Sequence, residues 1–136
     1  MPFASFAGCT RKYRNCSMKK TVVIGASTNP ERYAHRAVRE LRYHGHPVIA
    51  LGLKPGQIAD VNIHTDRPQI DHVDTVTLYV GPANQEFWQD YILQLKPKRV
   101  IFNPGTENSA FAKLLESKGI ASEESCTLVL LSIGNY

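Results

Sequence analysis

With 136 residues, 43% of them hydrophobic and 21% charged, the chain has the size and make-up of one ordinary soluble domain with a real core. Its net charge of +4 suggests nucleic acid at first sight, but Arg11, Lys12 and Arg14 lie in an acid-free stretch of 17 residues; the remaining 13 basic groups face 12 acidic ones, which argues against a duplex-binding face. No apolar run approaches membrane-spanning length.

Cys9, Cys16 and Cys126 are odd in number and lack metal-ligand spacing, the pattern of a reduced, cytoplasmic protein without a metal site. Phe6-Ala7-Gly8-Cys9 resembles a lipoprotein cleavage box only faintly, because no basic residue precedes it and its apolar region is short. Residues 1–17 have no periodicity and are expected to be a disordered extension, with the folded domain beginning at Met18.

Thr21 to Ile24 is a β-branched apolar run suited to a strand buried on both faces. Gly25-Ala26-Ser27 then turns the chain, and Pro30 stands where a helix can begin. Ala34, Ala37, Val38 and Leu41 repeat at helical spacing, and Gly45 and Pro47 stop the helix. A strand, a small-residue turn and a helix start together aim backbone N–H groups at one spot, which suits an anion such as phosphate. Residues 47–52 form a second strand, and residues 53–73 read as loop, with a short extended piece at residues 61–64. Residues 74–80 are a third strand, followed by a helix marked by Trp88, Tyr91, Ile92 and Leu95. Arg99 to Phe102 is a fourth strand, and its turn carries Thr106 as a candidate helix cap. Phe111, Leu114 and Leu115 are expected to face the core. A short fifth strand is placed at residues 120–122, and residues 126–133 lean towards helix.

Strands alternating with helices predict an α/β fold, a Rossmann-like three-layer sandwich with a parallel sheet of about five strands. Ligands of such sheets bind beyond the carboxyl ends of the strands, where the strand order reverses. Four loops with glycine and proline fall at those ends: residues 25–30, 52–56, 80–84 and 103–107. The first has one glycine rather than G-x-G-x-x-G, and no acid follows the second strand, which argues against NAD. Lys54 stands there instead, a phosphate partner for NADP or for a nucleotide with a 3′-phosphate.

Gly25-Ala26-Ser27, Pro30, Arg32 and then residues 44–49 (HGHPVI) resemble the small bacterial and archaeal CoA-binding proteins, whose fold is like the N-terminal domain of the succinyl-CoA synthetase alpha subunit. The likeness continues through residues 102–108 (FNPGTEN) to residues 126–129 and covers about residues 18–136. It implies coenzyme A with its phosphates at the first turn and its pantetheine over the later strand ends. Carried over by position, the cofactor-binding candidates are Gly25, Ala26, Ser27, Thr28 and Pro30, with Arg32 and Lys54 as charge partners. Val80, Gly81, Pro82, Asn103, Pro104, Gly105 and Thr106 would line the remaining groove. This chain has Ala34-His35 where relatives often have Ser-Tyr, and Gly52-Leu53 where they often have Asn-Pro. The synthetase's phosphohistidine belongs to another domain, so the resemblance implies binding of CoA or acyl-CoA and no catalytic residue.

Several residues also have plainer readings. Ser27 can cap a helix as well as meet phosphate. Arg32, Arg36 and Arg39 share a helical face that is usually solvated. His35 could contact ligand or lie on the helix surface. His44 and His46 suit a helix end as cations and lack a third metal ligand. Cys126 reads as a buried structural thiol, or as a thiol near the end of the pantetheine arm. The aromatic residues Phe87, Trp88, Tyr91 and Tyr136 permit a homodimer surface. The alternative to a CoA-binding protein is an NADP-binding oxidoreductase or redox sensor.

Overall fold

A computed structural model describes residues 18–136; the expectation for residues 1–17 lies outside the described residues. The elements run β1 (Thr21–Ile24), α1 (Tyr33–Tyr43), β2 (Val48–Leu51), β3 (Gly56–Ile58), β4 (Val61–His64), β5 (Thr75–Leu78), α2 (Pro82–Leu95), β6 (Arg99–Phe102), α3 (Ser109–Ser117), β7 (Ala121–Glu124) and α4 (Thr127–Ser132). The sheet has seven strands in the order β3-β4-β2-β1-β5-β6-β7, not the five expected. Every pairing is parallel except β3 with β4. The extra strands come from the stretch read as loop: Gly56-Gln57-Ile58 turns back on β4 as a hairpin, with Ala59 at φ 54 in its turn. The extended piece at Val61–His64 is β4, and the fifth expected strand is β7, shifted towards the C-terminus.

Period-two alternation divides the core between the two faces of the sheet. Val22 and Ile24 join Val76, Leu78, Val100 and Phe102 beneath α2 and α3, where Phe102 and Phe111 meet edge to face at 6.0 Å. Val23 and Ala50 face the other way, towards Ala34, Val38 and Leu41 of α1 and Leu131 of α4. Each fully buried aliphatic side chain contributes about 1.5–3 kcal/mol. On α3, Phe111 and Leu115 are buried, whereas Leu114 is exposed, contrary to expectation. The stripe is narrower because α3 covers only the edge of the sheet. A bidentate pair, Arg42 Nε and Nη2 on the Asp60 carboxylate at 3.0 and 2.9 Å, ties α1 to the β3–β4 turn. The Arg42 guanidinium holds the Asp60 carboxyl below its ordinary range.

At the amino-terminal edge of the sheet, His46 is buried rather than free at a helix end. The Lys19 backbone N–H donates to its Nδ1 at 3.0 Å, and the Tyr136 ring lies 5.0 Å away. Burial lowers the His46 pKa to about 4, so the ring is neutral and not the dipole-matched cation expected.

Candidate functional site

The strand order reverses at β1, which has β2 on one side and β5 on the other, so the switch-point crevice opens above the carboxyl ends of β1 and β5. The four loops expected there do meet at that edge. They differ in how they are built.

The loop after β1 is held from beneath. Gly25, at φ +99, and Ala26 both direct their N–H groups to the Leu51 carbonyl at 2.9 Å, so these two amides are used inside the protein. A Cβ on Gly25 would also meet the Tyr79 carbonyl and Val80 side chain at 3.2 Å. The next two amides are different. Ser27 N–H and Thr28 N–H have no acceptor among the described residues. The Ala26 carbonyl points at Gly52, where a Cβ would lie only 2.4 Å from its oxygen. Because a trans peptide opposes its C=O and N–H, this turns Ser27 N–H away from Gly52. Thr28 seats its methyl group on Gly56, where a Cβ would come within 2.3 Å. Glycine at 52 and at 56 therefore lets the second loop close on the first.

Ser27 does not cap α1. Its Oγ accepts from Asn29 N–H at 3.1 Å, Asn29 Oδ1 accepts from Glu31 N–H at 3.0 Å, and the helix begins at Tyr33 with Arg32 as an N-cap lacking a side-chain bond. Pro30 thus stands in the approach to the helix rather than in its first turn. Arg32 and Lys54 are exposed and form no ion pair among the described residues. His35 is 4% exposed, so neither reading of it as a surface residue or a ligand-contacting ring holds. It lies beneath the loop, with Nδ1 at 2.9 Å from the Ser27 carbonyl and Nε2 at 3.0 Å from Arg39 Nε.

The loops after β5 and β6 are closed by two buried amide side chains. Asn103, 2% exposed, donates through Nδ2 to Thr77 Oγ1 at 2.6 Å and to the Leu78 carbonyl at 2.9 Å; its Oδ1 accepts from Thr127 N–H at 2.9 Å. Gln85, fully buried, donates to the Val80 and Thr106 carbonyls at 3.0 and 2.6 Å and accepts from Asn108 Nδ2 at 3.0 Å. Asn103 and Thr106 therefore turn inward: the Thr106 hydroxyl donates to the Asn103 carbonyl, and the helix cap expected at Thr106 is Asn108, which accepts from Phe111 N–H at 3.1 Å. Gly81 is the N-cap of α2 with Pro82 at its first position, while Val80 and Gly81 are half-buried and Pro104 and Gly105 exposed. Gln85 went unseen in the sequence because glutamine is usually solvent-facing, although its place three before Trp88 and seven before Ile92 continues the buried stripe of α2.

Cys126 is half-buried at the N-cap of α4, beside Thr127 and hence beside Asn103, rather than fully buried. The Tyr79 hydroxyl lies in the same region, buried and without a well-formed hydrogen bond among the described residues. Burial raises its pKa, an effect that the nearby Thr127 and Thr77 hydroxyls partly offset. Among the described residues, no three His, Cys, Asp or Glu side chains are grouped to hold a metal. A groove of about 890 Å³, bordered by Arg67, His72, Tyr91, Lys96 and Lys98, opens at the opposite edge of the sheet, where β5 and β6 begin. It is remote from the switch point.

These features define a small Rossmann-like α/β domain with a crevice at its topological switch point. Residues 19–132 match the CoA binding domain family, and the chain belongs to that family. The crystal structure of an uncharacterized protein superposes with a TM-score of 0.86 at 49% identity, covering 88% of this chain and 99% of that one. A protein from Thermus thermophilus follows at 0.77 and 20% identity, covering 88% and 91%. The same fold recurs in a dinucleotide-forming acetyl-coenzyme A synthetase of Ca. Korarchaeum cryptofilum, with a TM-score of 0.66, 16% identity and coverage of 79% of this chain and 25% of that one. No curated protein matches. No helix among the described residues is long and apolar enough to cross a membrane.

Proposed function

We propose that this chain binds coenzyme A, free or acylated, with the phosphates at residues 25–30 and the pantetheine directed across the ends of β5 and β6, and that it performs no ligase chemistry of its own. The observation that carries the reading is the pair of Ser27 and Thr28 N–H groups, unpaired among the described residues and fixed at the switch point. Such amides suit a pyrophosphate, since each donates a charge-assisted bond without a side chain to order. Arg32 and Lys54, exposed on the two flanking loops, would supply positive charge, Lys54 for the 3′-phosphate. CoA would supply a thiol as acyl carrier; the chain binds and orients it. The half-buried Cys126 lies on the pantetheine side of the site.

Lys54 would serve the 2′-phosphate of NADP equally well, which keeps an oxidoreductase or redox sensor as the second reading. A thermal-shift titration of the full chain with CoA, dephospho-CoA, NAD and NADP separates the two. Selective stabilisation by CoA supports the proposal; stabilisation by NADP alone replaces it. Equal shifts with CoA and dephospho-CoA remove the 3′-phosphate role from Lys54.

A further inference from the structure

His35 makes two hydrogen bonds, and together they fix its proton. The Ser27 carbonyl can only accept, so Nδ1 carries the hydrogen; Arg39 Nε can only donate, so Nε2 is bare. The ring is therefore a neutral Nδ1–H tautomer, held from both sides. The bond to Ser27 has a consequence one peptide on. Ser27 C=O and Thr28 N–H belong to the same peptide plane, and no peptide among the described residues is cis. A ring that grips the carbonyl from beneath turns Thr28 N–H the opposite way, out of the loop.

We infer that His35 is a positioning residue for anion binding: through its Nδ1–H bond to the Ser27 carbonyl it orients the Thr28 amide towards the ligand phosphate, while Arg39 holds the tautomer that makes this bond possible. The inference rests on the phosphate-binding reading of residues 25–30. It gives a purpose to an otherwise unexpected placement. A histidine with 4% exposure in the first turn of a helix is costly to bury, and a core position there would be filled more cheaply by an aliphatic residue. Arg39 is exposed, yet it spends its Nε on a neutral ring rather than on a carboxylate. The arrangement parallels the neighbouring peptide, whose carbonyl is directed by the gap at Gly52. Two successive carbonyls are thus held inward by different means, and two successive amides face outward.

The test compares His35→Leu with His35→Asn in the full chain. Asparagine can place its Nδ2–H near the position of Nδ1–H, whereas leucine fills the space without a donor. Calorimetric titration with CoA should show affinity reduced on the order of tenfold in His35→Leu and restored to within about threefold of the parent in His35→Asn. Pantetheine, which lacks the phosphates, should bind all three proteins alike. Arg39→Leu, at an exposed position, should fold normally and shift the imidazole ¹⁵N signals away from the Nδ1–H pattern seen in the parent. Unchanged CoA affinity in His35→Leu, or an Nε2–H ring in the parent, would overturn the inference. A parent that fails to bind CoA would instead bring down the phosphate-site reading itself.

Discussion

On the β1–β2 side of the sheet edge, two successive backbone N–H groups are set by peptides whose carbonyls are held inside; on the β5–β6 side, Val80 and Gly81 N–H also have no acceptor among the described residues, but the amide side chains of Gln85 and Asn103 are consumed by internal bonds. The two halves lie in one continuous sheet and have similar glycine and proline content. What separates them is how their polar side chains are spent. The first half keeps donors available and aims them by holding the opposing carbonyls. The second builds a rigid wall for a ligand to lie against. A parallel sheet can thus make a binding surface and its support from loops that look alike in sequence.

The largest effect should come from the closed half. Asn103→Leu leaves Thr127 N–H and the Leu78 carbonyl without their buried partner, and denaturant titration should show a loss of about 3–4 kcal/mol. Ligand affinity of the folded fraction should change little. A large loss of affinity at unchanged stability would place Asn103 in the binding surface instead.

The amino-terminal edge carries a response to acid of its own. His46 has a pKa of about 4 when folded against an ordinary 6.5, so the unfolded chain takes up its proton first. Its contribution is complete above pH 6.5 and is lost as the pH falls towards 4, at most about 3 kcal/mol. His46→Asn, which keeps an acceptor for Lys19 N–H, should flatten the stability profile across that window.

Gly52→Ala joins both properties. Its Cβ would stand 2.4 Å from the Ala26 carbonyl oxygen, and backbone has to move. Stability should fall by about 2 kcal/mol and CoA affinity with it, because Ser27 N–H turns with that carbonyl. Lys54→Ala belongs to the open half alone. Stability should remain within about 0.5 kcal/mol, while affinity for CoA, but not for dephospho-CoA, drops roughly fivefold.

The central strands were legible because β1, β2, β5 and β6 are buried on both faces and read as apolar, β-branched runs. The hairpin strand β3 was not: Gly56-Gln57-Ile58 is too short for a period and begins with a residue that normally breaks strands. Gly25 announced a turn by its type. Gly52 marked a loop in the same way, but its need for a missing Cβ arises only when the Ala26 carbonyl is brought against it. His35 and Gln85 were misjudged or passed over for one reason: polar side chains on helices are normally solvated, and only the assembled loops provide their buried partners. Thr106 was assigned a cap that Asn108 makes, two residues on, because both can accept from a helix amide.

Amide chemical-shift mapping of the full chain during titration with CoA addresses the open half most directly. Saturable shifts largest at Ser27, Thr28 and Lys54, with weaker ones at Gly81 and Cys126, are the predicted result. Shifts confined to His72, Lys96 and Lys98 around the groove at the opposite edge, with Ser27 and Thr28 unmoved, would contradict the account.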